Sequence, residues 1–115
     1  AAETRPGGVV DVTTHFAVQR RIEKGWRLFF HLDAPSGGRR ILDHEPVSGL
    51  MPVARWRPGQ QIRDRFSITF PPGTPPGVYT LYEGVFHGAQ RLPVKPAAQN
   101  DGRDRLRLLQ ITVRP

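Results

Sequence analysis

Proline and glycine interrupt this chain too often for long helices: twelve of each occur in 115 residues. A proline inside a helix removes a backbone hydrogen bond and clashes with the preceding turn, and a glycine there costs backbone entropy. Short strands joined by turns are the architecture that such punctuation permits. The apolar segments carry the matching period. Val10, Val12, Thr14, Phe16 and Val18 alternate with polar positions, and Ile62, Phe66, Ile68 and Phe70 do the same. Trp26, Leu28, Phe30 and Leu32 share one face of a third segment, with Arg27, Phe29, His31 and Asp33 on the other. Further strands are expected at 39–42, 78–86, 91–94 and 106–113, with a breaker-rich stretch over 43–61 and a polar loop over 95–102. The pattern predicts an all-β fold, an antiparallel β-sandwich of about seven to eight short strands.

Length fits one domain, placed at residues 9–115 after a disordered or processed N-terminal segment of residues 1–8. Apolar residues make up 37% and charged residues 23%, a globular balance. No apolar run approaches the roughly 20 residues of a membrane-spanning helix, so the chain is read as a soluble domain. With no cysteine, disulfides, thiolate metal sites and cysteine nucleophiles are excluded together. The formal charge is +7, and all but two of the 17 cationic residues are arginine. A basic domain is a candidate for an anionic polymer or an anionic membrane surface. The arginines are scattered among acids, as in Arg63-Asp64-Arg65, and only Arg55-Trp56-Arg57 interleaves cation with aromatic, which argues against nucleic acid.

Nucleophilic catalysis finds little support. Ser36, Ser48 and Ser67 lie in no nucleophile elbow, and no glycine-rich phosphate loop opens a helix, so the chain is read as non-enzymatic with no cofactor. Three other groups of residues draw attention. His31, Asp33, Asp43, His44 and Glu45 have the ligand types of a zinc, manganese or calcium site, at no fixed spacing. Trp56 with Arg55 and Arg57, together with Tyr82 and Phe86, is the candidate platform for a glycan, or an interface to a neighbouring domain. Asp64 and Glu83 break the apolar parity of their strands, where a carboxylate is costly unless it is paired, hydrogen-bonded or at the rim.

From Leu28 to Val94 these residues also resemble a known module. The specific elements are Trp56-Arg57-Pro58-Gly59 and Pro75-Pro76-Gly77-Val78-Tyr79-Thr80-Leu81, with Phe29 to Asp33, Asp43 to Gly49, Ile62-Arg63-Asp64, Gly84 and Arg91 to Val94 around them. They resemble the immunoglobulin-like domain carried outside the membrane by bacterial multi-pass proteins, including glycosyltransferases of the dolichyl-phosphate-mannose mannosyltransferase type. The resemblance implies an extracytoplasmic, non-catalytic accessory domain whose partners are a parent membrane protein, a glycan or lipid-linked sugar, or a partner domain. It also implies structural roles for Trp56, Pro58, Gly59, Asp64, Gly77 and Tyr79. Glu83 departs from the pattern, which has an apolar residue there.

Overall fold

Strands that alternate apolar and polar residues can each bury one face, and two layers of them close on each other. The computed structural model describes residues 2–18, 21–92 and 101–115. Its strands are β1 (Ala2–Thr4), β2 (Val9–Ala17), β3 (Arg27–Asp33), β4 (Arg39–Ile41), β5 (Gln61–Thr69), β6 (Gly77–His87), β7 (Gln90–Arg91) and β8 (Leu106–Val113). The larger sheet runs β1-β8-β6-β3-β4, with β7 folded back on the end of β6, and the smaller is the hairpin-like pair β2-β5. Every pairing is antiparallel except β1 with β8. The result is an all-β sandwich. Among the described residues no helix is long and apolar enough to cross a membrane.

The core divides along the length of the sandwich. One cluster gathers Val12, Leu32, Ile68, Phe70, Tyr79, Leu81, Ile111 and Val113. The other gathers Val18, Leu28, Phe30, Val53, Trp56 and Ile62. Phe66, Leu42 and Leu108 touch both. Leu81 pairs with Leu109 and Tyr82 with Arg107, so Leu108 forms a bulge on β8. Between the clusters, the inward positions of β2, β5 and β6 are occupied by Thr14, Asp64 and Glu83, all buried. A polar layer thus crosses the waist of an otherwise apolar interior.

Local chemistry sets the corners. Gly77 has φ +146°, and a Cβ there would lie 2.7 Å from the Pro35 ring, so only glycine fits after Pro75-Pro76. Tyr79 then points inward, and its hydroxyl donates to the Pro75 carbonyl at 2.8 Å, a corner that ties the start of β6 to its own turn. The breaker-rich 43–60 stretch contains two single 3₁₀ turns, Pro46–Gly49 and Val53–Arg55.

One expectation needs correction. The N-terminal residues are not frayed: Ala2–Thr4 pairs with Ile111–Val113, Arg114 N–H donates to the Thr4 carbonyl at 2.8 Å, and Glu3 pairs with Arg114. Three residues are too few to show a period, so tertiary pairing decides their structure. On the outward face of β3, Phe29 and His31 are buried as well. Of the expected 91–94 strand only Arg91 belongs to β7; Pro93, Val94, residues 95–100 of the polar loop, and Arg20 lie outside the described residues.

Candidate functional site

At one end of the sandwich the 46–60 loop is held down by Trp56. Its ring is only 4% exposed and lies 5.0 Å from Phe16, and its indole N–H donates to the Met51 carbonyl at 2.9 Å. Gly59 N–H donates to the Val18 carbonyl and Val18 N–H to the Gln60 carbonyl, which carries the β2-β5 ladder into the loop after Pro58. Trp56 is therefore a plug and not an exposed stacking platform. Its neighbours behave differently. Arg55 and Arg57 project outward and, with Arg21, Met51, Ala54 and Gln60, line an open concavity of about 370 Å³. Among the described residues no carboxylate lies within ion-pairing distance of these three arginines. Three unneutralised guanidinium groups around one hollow form an anion-attracting site.

Ala54 also borders a second hollow of about 520 Å³, lined by Trp26, Pro52 and Val53 with Lys24, Arg27 and Glu45 at its sides. Arg27 and Glu45 pair at 3.5 Å. Leu50, between the two hollows in sequence, is 69% exposed.

Beneath this end lies the polar layer. The Asp64 carboxylate accepts from Val47 N–H at 2.8 Å and meets His44 Nε2 at 2.5 Å. His44 Nδ1 in turn donates to the Leu42 carbonyl at 3.0 Å, which fixes the ring with Nε2 toward Asp64. The imidazole stacks on Phe30 and packs at a tilt against Phe66, each ring centroid 4.5 Å away. Glu83 enters the layer from the opposite sheet. It is 6% exposed, and its Oε2 is buried with no hydrogen-bond partner among the described residues. Burial, with the Asp64 charge adding to it, pushes the Glu83 carboxyl up to about 8. Glu83 is thus a neutral acid at neutral pH.

The outward face of the larger sheet carries a second polar cluster. Arg105, 4% exposed, donates from Nη2 to Asp33 at 3.0 Å and from Nε to Asp101 at 2.7 Å, and its guanidinium lies 3.9 Å over the Tyr82 ring. Arg91 stacks 4.8 Å over Phe29 and donates to the Arg103 carbonyl. A Cβ on Gly84 would run into the Phe29 ring, so glycine is what lets that ring lie flat on the sheet. Burial works against the Asp33 carboxylate, but Arg105 and Arg39 outweigh it and hold its pKa below the ordinary value. Burial first, then Arg39 and Arg105, push the His31 imidazole down.

The five candidate metal ligands are thereby dispersed. His31 and Asp33 belong to the Arg105 cluster, Asp43 caps Phe30 N–H at 2.8 Å, His44 serves Asp64, and Glu45 faces Arg27. Among the described residues no three His, Asp or Glu side chains gather as metal ligands. Tyr82 and Phe86 are half-buried, Tyr82 under Arg105 and Phe86 edge-on to Phe29. Asp64 needed no arginine and does not sit at the rim: a histidine and a loop amide satisfy it at the waist. Sequence spacing does not reveal the Arg21 contribution or the His44–Asp64 pair, because both join segments far apart in the chain. No family model, curated protein or solved structure matches this chain.

Proposed function

We propose that this chain is a non-catalytic accessory domain, part of a larger bacterial membrane protein and displayed outside the membrane, that binds an anionic ligand at the Arg21–Arg55–Arg57 hollow. One observation carries the reading: three exposed arginines share a concavity and, among the described residues, none is neutralised by a neighbouring acid. Elsewhere buried cations are consumed by structural pairs, as Arg105 is by Asp33 and Asp101. The aromatic residues that would stack on a neutral glycan are occupied by protein contacts, so the ligand is one bearing phosphate or carboxylate, whether on a sugar, a lipid headgroup or a polymer. The extracytoplasmic placement rests on the resemblance of the Trp56-Arg57-Pro58-Gly59 and Pro75-to-Leu81 elements.

Calorimetric titration with short-chain inorganic polyphosphate tests the site. Binding should weaken as salt rises, and the exposed double variant Arg55→Gln/Arg57→Gln should lose about tenfold in affinity with an unchanged melting temperature. A salt-independent heat, or full affinity in the double variant, refutes the assignment.

A further inference from the structure

The same end of the domain bears an apolar tip among its cations. Leu50 is 69% exposed and lies in the chain between Met51, which lines one hollow with Arg21, Arg55 and Arg57, and Gly49, which lines the other with Trp26, Pro52, Lys24 and Arg27. The charges there are Arg21, Lys24, Arg27, Arg55 and Arg57 against Glu23 and Glu45, and Glu45 is already spent on Arg27. A projecting leucine flanked by cations is complementary to one surface in particular: anionic headgroups over hydrocarbon.

The tip is also braced by hydrogen bonds. Leu50 N–H donates to the Val47 carbonyl at 3.0 Å and Met51 N–H to the Pro46 carbonyl at 3.3 Å, while the Met51 carbonyl receives the Trp56 indole. Val47 itself sits at φ +53°, a left-handed conformation that a β-branched residue rarely adopts. Its N–H is held there by the buried Asp64 carboxylate. Backbone strain maintained by a buried anchor points to a loop whose form matters. A preformed loop loses little ordering entropy when it docks.

We infer that this end docks on an anionic phospholipid membrane, with Leu50 entering the interface and Arg21, Arg55 and Arg57 contacting lipid phosphates. The inference rests on the anion-binding reading and narrows its ligand. Weak docking suffices for a domain tethered beside a bilayer, because the tether supplies a high effective concentration.

Vesicle co-sedimentation decides it. Vesicles of phosphatidylcholine with phosphatidylglycerol should bind the protein, and vesicles of phosphatidylcholine alone should not. Leu50→Ser, an exposed change that leaves the fold and melting temperature intact, should reduce binding to the anionic vesicles about tenfold while leaving polyphosphate affinity unchanged. The Arg55→Gln/Arg57→Gln variant should lose both. Polyphosphate binding without vesicle binding, or Leu50→Ser binding anionic vesicles as well as the parent, overturns membrane docking and spares the anion site. Failure to bind either ligand overturns both.

Discussion

Replacing Glu83 with glutamine gives the sharpest test of the buried polar layer. The carboxyl titrates at about 8 in the folded protein against an ordinary 4.5. Between those values the folded state holds a proton that the unfolded chain has released, so stability must fall as pH rises from about 4.5 to 8 and level off above. The gap of 3.5 between the two values, at 1.36 kcal/mol per pH unit, corresponds to about 5 kcal/mol lost by pH 9, and about 3 kcal/mol already by pH 7. Total stabilities of domains are about 5–15 kcal/mol, so the effect is large. Glu83→Gln removes this titration and keeps the shape. Its buried amide adds donors that need partners, which costs about 1–3 kcal/mol at every pH, so the slope and not the level is informative. His31, whose pKa burial lowers, gains a proton in the unfolded state as pH falls below about 6.5, but it does so in both proteins and cancels in the difference. Urea unfolding at pH 5, 7 and 9 is the assay. The variant should gain on the parent by about 4 kcal/mol between pH 5 and pH 9, most of it below pH 8. Parallel curves would mean that Glu83 is ionised throughout and that the layer is wetter than its burial implies.

Two further substitutions test the frame around the site. Trp56→Ala should cost about 3–5 kcal/mol in chemical denaturation, since it empties a buried indole position and orphans the Met51 carbonyl; a cost under 1 kcal/mol would contradict its role as a plug. Tyr79→Phe removes only the hydroxyl bond to Pro75 and should lower stability by about 1 kcal/mol, with no change meaning that water replaces the corner bond.

Much of the sandwich is legible in the amino acids because a period of two runs through β2, β5 and β6, and through β8 on either side of its bulge at Leu108. The same parity singles out Asp64 and Glu83 as inward-facing acids, and both are buried in the core. Parity cannot say what meets them there. His44 reaches Asp64 across 20 positions, and its ring looks like a surface or metal-binding residue until Phe30 and Phe66 close on it. The outer face of β3 is illegible for a related reason: no spacing shows that Arg105, 72 positions beyond Asp33, turns back over His31 and Asp33. Arg55 and Arg57 stand out by composition alone, whereas Arg21 joins them only through the folded loop.

The parallel pairing of β1 with β8 has a mechanical consequence. Because both strands point the same way, tension applied between the two ends of the chain would slide one along the other, and their hydrogen bonds would share the load together instead of parting one at a time. The Glu3–Arg114 pair beside them resists the same motion. A domain strung between other parts of a protein would thus meet shear first at this three-residue seam, and its interior would feel the pull only after that seam gave way.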